Sequence, residues 1–331
     1  MFPNQRQTSA RAVRRPSVAA SQQASAAAVN TRARWANSSR FLAIALALLI
    51  VMVTLSACSD ESGSAQSKDG VPTVATSSYA LAYIAQAVGG DEVEVEDLSS
   101  TSGHAHNLEL SPAQVQRLGN ADLVIYLSQG FQPAVEEAIG QSGVASIDVL
   151  SAVPEEDLIA GDPHVWLDPI LMSYIGEEVA EVLAEANPSQ AEYYQENAED
   201  LAKRLNEVEE AYDTALAACE GETLLTTHQA FGYMAKRYGL EQVGVTGIDP
   251  EAEPSPARLM ELRDLVEERG VTTIFIEPLT SEHHESHLTE TLGVRALPLD
   301  TVEVQVDSGE DLIDVYTSNL ESLREGLACA S

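Results

Sequence analysis

A long amphipathic helix in the middle of the chain is the feature that most limits the possible folds. Between positions 194 and 216, apolar residues recur at intervals of three and four: Tyr194, Ala198, Leu201, Leu205, Val208, Tyr212 and Leu216. This spacing places them on one face of an α-helix. Asn187-Pro188 predicts its start and Gly221 its end, which gives about 30 residues and roughly 45 Å. The segments before and after this helix are therefore expected to form separate lobes.

Strands and helices alternate on both sides of the long helix. In the first half, strands are predicted at 71–76, 92–98, 122–127 and 146–150, with helices near 79–88, from 111, 132–140 and 169–186. In the second half, strands are predicted at 222–227, 241–246, 272–277 and 294–299, with helices at 229–238, 255–269, 282–292 and 310–327. Such alternation indicates parallel sheets covered by helices. The predicted fold class is α/β, with two parallel-sheet lobes, one connecting helix and a cleft between the lobes.

The first 57 residues have a different composition from the rest. They contain seven Arg and no Asp or Glu, and residues 41–57 are apolar, which is typical of a secretory signal. Leu55-Ser56-Ala57-Cys58 resembles a bacterial lipobox, in which Cys58 would be acylated and become the first residue of the mature chain. The alternative is an uncleaved membrane anchor, since a span needs at least about 17 apolar residues. In both cases the Arg-rich flank stays cytoplasmic and the remainder lies outside.

The remaining chain is strongly acidic. The whole sequence has 52 acidic and 18 basic residues, for a net charge of −34. Such a surface repels phosphate backbones, which excludes a nucleic-acid partner. Outside the cytoplasm, the two cysteines other than Cys58, namely Cys219 and Cys329, are expected to form a disulfide. The predicted boundaries are a leader at 1–57, a lipidated Cys and tether at 58–70, lobes at 71–187 and 220–331, and a connecting helix at 188–219.

Three histidines and one aspartate follow predicted strands. His106 and His164 precede the long helix, whereas His228 and Asp300 come after it. Because the carboxyl ends of parallel strands line the ligand crevice, each lobe is expected to contribute two groups. Imidazole and carboxylate in a set of four suit tetrahedral Zn²⁺, whereas Mn²⁺ favours more oxygen ligands. Glu277 also ends a strand at the cleft and is the reserve candidate for the fourth ligand.

The sequences around these residues indicate a family. Three segments occur in order: GHAHNLELSP at 103–112, DPHVWLDP at 162–169 and THQAFGY at 227–233, with PEAEPS at 250–255 and IFIEP at 274–278. They resemble the metal-binding lipoproteins of bacterial ABC importers, the zinc/manganese solute-binding family, over about residues 71–328. The resemblance implies metal ligands at His106, His164, His228 and Asp300. The third position is commonly His in zinc binders and Glu in manganese binders, so it favours zinc.

The resemblance also implies a function. We expect a monomeric receptor, anchored by lipid to the extracytoplasmic face of the membrane. It would capture Zn²⁺ as a transported ligand and deliver it to an ABC permease and its ATPase. A manganese or iron receptor of the same family, and a surface adhesin with a structural metal, are the alternatives. No His-Glu-x-x-His pair or Gly-x-Ser-x-Gly elbow occurs, so an enzyme is not expected.

Several further residues are secondary candidates. His283 and His287 are four apart and would share one helix face, which can hold a weak accessory metal. The alternative is a solvated helix start, and His104 is a third possible accessory ligand. Asp168, Glu109 and Glu277 are candidates to accept hydrogen bonds from the outer nitrogens of ligating histidines. Two positions depart from the family pattern, namely Leu110 in place of Pro and Gln132 in place of an acidic residue.

Overall fold

The fold, seen in a computed structural model, is described for residues 70–99, 105–106 and 108–329. These residues belong to one unit of the chain, Ser64–Ser331. The predicted leader, Cys58 and His104 lie outside the described residues. Within the described part of the chain, no helix combines the length and apolarity needed to cross a membrane.

The first lobe is built on a parallel sheet. Its strands are β1 (Thr73–Thr76), β2 (Glu94–Asp97), β3 (Leu123–Tyr126) and β4 (Ser146–Asp148). Its helices are α1 (Tyr79–Gly89), α2 (Pro112–Asn120), α3 (Pro133–Ser142) and α4 (Pro169–Ala186). The strands pair in the order β2-β1-β3-β4 and all run parallel. Three of the four β1 residues are buried without alternation, as expected for a strand of a parallel sheet that is covered on both faces.

The second lobe repeats this topology. Its strands are β5 (Thr223–Thr226), β6 (Glu241–Gly244), β7 (Thr273–Ile276) and β8 (Arg295–Pro298). With the long helix numbered α5, its helices are α6 (Gly232–Tyr238), α7 (Pro256–Arg269), α8 (Glu282–Leu292) and α9 (Leu312–Leu327). The parallel order is β6-β5-β7-β8. The predicted fold class, two parallel-sheet lobes and a long connecting helix, is confirmed.

The connecting helix α5 spans Ala191–Leu216, after a short 3-10 turn at Pro188–Gln190. All seven apolar positions that predicted it are buried. The helix packs on α1 and α4 of the first lobe and on α9 of the second. It therefore serves as a shared support for both lobes rather than as an isolated linker.

Buried hydrogen bonds tie the lobes together near this support. The Tyr212 hydroxyl on α5 donates to the Tyr316 carbonyl at 2.7 Å, and the Tyr316 hydroxyl donates to the Trp166 carbonyl. Trp166 Nε1 in turn donates to the Thr301 carbonyl at 2.7 Å. All three aromatic side chains are fully buried, so breaking this chain would leave polar groups unsatisfied in the interior.

The predicted disulfide is confirmed. Cys219, just after α5, is bonded to Cys329, just after α9, with a sequence separation of 110 residues. The bridge links the end of the connecting helix to the last helix of the second lobe, and so closes the loop that contains almost all of that lobe.

Candidate metal centre

Four side chains from four loops converge in the cleft. His106 follows β2, His164 precedes a 3-10 turn that leads into α4, His228 follows β5, and Glu303 follows β8. One donor atom of each lies within 4.8 Å of all the others. The sheet topology explains the convergence, because loops at the carboxyl ends of parallel strands meet at one edge.

The distances suit a tetrahedral ion. His106 Nε2 and His164 Nε2 are 2.9 Å apart. Glu303 Oε1 lies 3.6 Å from His106 Nε2 and 3.9 Å from both His164 Nε2 and His228 Nε2. Zinc–nitrogen bonds of about 2.0–2.1 Å in a tetrahedron place neighbouring ligands about 3.3 Å apart. The four distances above lie within about 0.6 Å of that spacing, so modest side-chain shifts would bring these atom pairs to tetrahedral geometry.

The four residues are removed from solvent. The exposed fractions are 9% for His106, 0% for His164, 1% for His228 and 2% for Glu303. The ring of Phe131 lies 4.5 Å from that of His106. An ion at this position would exchange its water shell for protein donors, in surroundings where charge interactions are stronger than in water.

Two outer carboxylates fix the orientation of two imidazoles. Asp162 Oδ1 lies 2.7 Å from His164 Nδ1, and Glu277 Oε1 lies 2.6 Å from His228 Nδ1. A carboxylate acceptor requires a proton on Nδ1, which leaves the Nε2 lone pair directed at the cluster. The Thr227 hydroxyl also donates to Glu277 Oε1, at 2.6 Å. The geometry of Glu277 is thus that of an orienting group behind His228.

The Thr-His-Gln-Ala-Phe-Gly-Tyr segment packs directly on the loop that carries Asp162. The Tyr233 hydroxyl donates to the Asp162 carbonyl at 3.0 Å and accepts from the Ile159 amide at 3.0 Å. A Cβ at Gly232 would lie 2.4 Å from Asp162 Oδ2. The glycine in this motif is therefore required by the close approach of the two lobes beside the metal cluster.

Glu303 and Gln132 hold the backbone beside His106. Glu303 Oε2 accepts from the Ala105 amide at 2.9 Å. The fully buried Gln132 donates from Nε2 to the carbonyls of Ser77 at 2.8 Å and Ala105 at 2.9 Å. A carboxyl group at position 132 could donate at most one of these two bonds, and only when protonated, so the amide is the better donor here. This gives a structural reason for the departure from the family pattern at Gln132.

Asp300, the predicted fourth ligand, has a different environment. Its Oδ1 accepts from the Val302 amide at 2.7 Å, and its backbone amide donates to Asn319 Oδ1 at 2.8 Å. The cluster contains Glu303, and neither Asp300 nor the reserve residue Glu277. Reasoning from the sequence missed Glu303, although it lies in the same loop only three residues beyond Asp300. The sequence signal for Glu303 is that it is the second acidic residue after the strand that ends at Pro298.

The carboxylates and imidazoles influence one another's protonation. Burial raises the pKa of Glu303 to about 7 and that of Asp300 to about 6. Burial also lowers the pKa of His164. Burial acts in the same direction on His228, but its hydrogen bond to Glu277 and the charges of Glu277 and Glu303 outweigh it and raise the pKa of His228. A metal cation would replace protons as the positive charge that these carboxylates attract.

The remaining candidates lie away from the cluster. His283 and His287 are exposed near the start of α8, and within the described part of the chain no group of three or more metal-binding side chains includes them. Asp168 caps α4 by accepting from the Ile170 and Leu171 amides, and its Oδ2 lies 2.6 Å from Arg237 Nε of the second lobe. Glu109 is exposed. Asp168 therefore starts a helix and bridges the lobes.

Comparison with known proteins identifies the family. The profile described as zinc-uptake complex component A, periplasmic (ZnuA), matches residues 74–326. The chain belongs to the ZnuA family. The motifs therefore predicted the family correctly, and it is a family of solute-binding receptors rather than of enzymes.

Individual ZnuA-family relatives agree with this assignment. The chain is 30% identical over 309 residues to the high-affinity zinc uptake system protein ZnuA of Bacillus subtilis, covering 86% of this chain and 97% of that protein. It is 28% identical over 294 residues to the zinc-binding lipoprotein AdcA of Streptococcus pneumoniae, covering 82% of this chain and 58% of AdcA. The chain thus spans little more than half the length of AdcA.

Solved structures of ZnuA-like proteins have the same fold. The Zn(II)-bound ZnuA-like domain of Streptococcus pneumoniae AdcA has a TM-score of 0.69 at 28% identity, covering 78% of this chain and 99% of that domain. The laminin-binding protein Lmb of Streptococcus agalactiae has a TM-score of 0.71 at 30% identity, covering 77% of this chain and 99% of the Lmb chain. The periplasmic zinc-binding protein TroA of Treponema pallidum, at 23% identity and a TM-score of 0.72, shares the fold.

Proposed function

We propose that this protein is the zinc receptor of an ABC-type importer, and that His106, His164, His228 and Glu303 bind the transported ion. The observation that carries the proposal is the convergence of three imidazole nitrogens and one carboxylate within 4.8 Å. Buried carboxylates behind two of the imidazoles support it, because such outer groups orient zinc ligands. The names of the Bacillus and Streptococcus relatives, a zinc uptake protein and a zinc-binding lipoprotein, point to the same cargo.

The donor set favours zinc over manganese. Three nitrogens and one oxygen match the usual tetrahedral zinc site, whereas Mn²⁺ is typically bound by more oxygen ligands in octahedral geometry. With neutral imidazoles, the ion and its four ligands carry a net charge of about +1. Asp162 and Glu277 lie just behind the ligands and offset this charge.

The same donor set argues for transport rather than catalysis. A catalytic zinc keeps one coordination position for water or substrate, and structural or transport sites fill all four. Here four protein donors would fill the tetrahedron around a bound ion, which would leave no coordination position for a reactive water. We therefore propose that the protein performs no hydrolytic chemistry and that the ion is cargo.

The leader and the family suggest how the receptor works in the cell. We propose that the chain acts as a monomer, attached through lipidated Cys58 to the extracytoplasmic face of the membrane. There it would deliver zinc to a permease driven by a cytoplasmic ATPase. The basic flank before the apolar run and the lipobox-like sequence support this arrangement.

Metal analysis of the purified protein tests the proposed function. We expect one tightly bound zinc per chain by elemental analysis and stronger binding of zinc than of manganese in competition with a chelator. His228→Ala should weaken zinc binding severely, whereas His284→Ala, at an exposed position on α8, is the matched control and should retain it. Preferential manganese binding, or equal zinc binding by both variants, would contradict the proposal. In the cell, deletion should impair growth when zinc is scarce.

Adhesion is a second candidate function. It is favoured by the similarity to Lmb, which is described as a bifunctional protein with adhesin and metal transporting activity. A deletion strain that grows normally on scarce zinc but binds poorly to laminin-coated surfaces would support adhesion over import.

We also propose a weak accessory metal site at His283 and His287 on α8. Their spacing of four residues brings both imidazoles to one exposed helix face. Calorimetry should detect a second, weaker zinc-binding event that disappears in the His283→Ala/His287→Ala protein. A single binding event in both proteins would remove the site. His104, outside the described residues, is the third proposed accessory ligand.

A further inference from the structure

The metal cluster meets solvent on the His106 side. His106 is 9% exposed, whereas the other three members of the cluster are at most 2% exposed. His106 also lines an open cavity of about 230 Å³. A second cavity, which borders Glu303 and Asp300, has only about 10 Å³. Since a single water needs about 10–15 Å³, this second cavity is too small for a hydrated ion.

Both lobes contribute to the larger cavity. Besides His106, the first lobe provides Phe131, Pro163 and Gln129, and the loop after β6 in the second lobe provides Ile248 and Asp249. The volume accommodates several water molecules, which is the space that a divalent ion needs while it exchanges water for protein ligands. The cavity therefore connects the cluster to solvent without any separation of the lobes.

Asp249 supplies the negative charge of this cavity. It is exposed and is the one carboxylate among the residues that line the cavity in the described part of the chain. Its Oδ1 accepts from the Glu251 amide at 2.9 Å, which restricts the orientation of the side chain. Phe131, Pro163 and Ile248 provide no metal-binding side chain, so an ion that leaves Asp249 meets His106 as the next nitrogen ligand.

We infer that this cavity, hereafter the zinc port, is the route by which Zn²⁺ passes between solvent and the cluster, with Asp249 as the carboxylate that receives the hydrated ion. The inference rests on the proposed function. His106 is the first cluster ligand to bind the incoming ion and the last to release it. Asp249 does not belong to the final ligand set, because it is absent from the group of four converging donors.

The inference has a distinct kinetic consequence. A group that stabilises the ion on its route but not in its final position lowers the barrier in both directions. Removing its charge should therefore slow zinc association and chelator-driven release by the same factor, about three- to tenfold for one partly screened charge. A general surface charge would instead alter association alone and would lose its effect in salt.

Stopped-flow measurement on the zinc-binding protein tests the port. Asp249→Asn is compared with Asp200→Asn, which removes the same charge at an exposed position on α5, a helix that does not line the port. Ile248→Trp is a second probe, since a bulky ring at this half-buried position fills the cavity. We expect Asp249→Asn and Ile248→Trp to slow both association and release, and Asp200→Asn to keep the rates of the unaltered protein. Circular dichroism verifies that each variant is folded.

The possible outcomes separate the two proposals. Suppose that the unaltered protein binds zinc and that folded Asp249→Asn and Ile248→Trp proteins have the same rates of zinc association and release. The port is then refuted as the route of the ion, and the proposed function stands. The same applies if Asp249→Asn and Asp200→Asn slow association equally. If the unaltered protein fails to bind zinc, the proposed function itself is overturned.

Discussion

Replacing one acidic side chain at a time decides which carboxylate completes the metal centre. Glu303 Oε1 lies 3.6–3.9 Å from the Nε2 atoms of all three histidines. Asp300 Oδ1 is instead bonded to the Val302 amide at 2.7 Å. We therefore expect Glu303→Gln to weaken zinc binding strongly and Asp300→Asn to leave it almost unchanged.

The expected magnitude follows from the position of each group. Removal of an outer carboxylate that only orients a ligand typically costs 10–100-fold in metal affinity. A carboxylate that contacts the ion contributes more, so Glu303→Gln should cost more than about 100-fold, or about 2.7 kcal/mol. Asp300→Asn should change affinity by less than about threefold, the scale of an unrelated substitution.

The two variants are matched in design. Glutamine at position 303 keeps the size of the side chain and can still accept from the Ala105 amide, so the change isolates the loss of a charged zinc ligand. Asparagine at position 300 can still accept from the Val302 amide. Competition with a fluorescent zinc chelator gives the affinities. A loss above 100-fold for Asp300→Asn, with Glu303→Gln unaffected, would refute the assignment of Glu303 and restore Asp300.

Four further outcomes are expected. Glu277→Gln should weaken zinc binding by about 10–100-fold in the same competition assay, because His228 loses its anionic partner; an unchanged affinity would contradict that role. Replacing Cys219 and Cys329 with Ser should lower the free energy of unfolding in urea by about 2–5 kcal/mol, and equal midpoints would count against a stabilising bridge. Burial raises the pKa of Asp300 from 3.8 to about 6, so its neutral form is favoured on folding. The free energy that the neutral Asp300 carboxyl contributes to folding is fully present below about pH 4 and is lost as the pH rises through about 6. Asp300→Asn should therefore raise the unfolding free energy of the metal-free protein by up to about 3 kcal/mol near pH 8 and leave it unchanged near pH 4. X-ray scattering profiles with and without zinc should match, and a large closure would contradict lobes tied together by buried bonds.

The fold could be predicted because its signals are periodic. The apolar positions of α5 recur at helical spacing, and each of them is buried. The strand–helix alternation predicted two parallel sheets, since buried parallel strands need crossover helices between them. The same topology predicts that His106, His164 and His228 lie at one edge, because loops at the carboxyl ends of parallel strands meet there.

The fourth position of the cluster depends on a loop, which periodicity does not describe. Val302 has a φ of 57°, in the left-handed region that non-glycine residues rarely adopt. This residue lies between Asp300, whose carboxylate bonds the Val302 amide, and Glu303, whose carboxylate reaches the histidines. Strand periodicity indicates where β8 ends but gives no indication of a left-handed residue four positions later. Asp300, the first acidic residue after the strand, therefore stays the prediction from the sequence, and Glu303 is the residue that the geometry favours.

The hydrogen-bond network limits how the ion can leave. The chain of bonds from Tyr212 through Tyr316 and Trp166 to Thr301 joins α5 to both lobes within the interior. Opening the cleft by lobe rotation would break these bonds and leave buried polar groups unpaired, at a cost of about 1–3 kcal/mol for each group. Exit of the ion past His106, with His106 as the last ligand that it leaves, breaks none of them, and His106 already borders an open cavity. Local release at His106, assisted by protonation of the imidazoles, therefore requires less structural change than separation of the lobes.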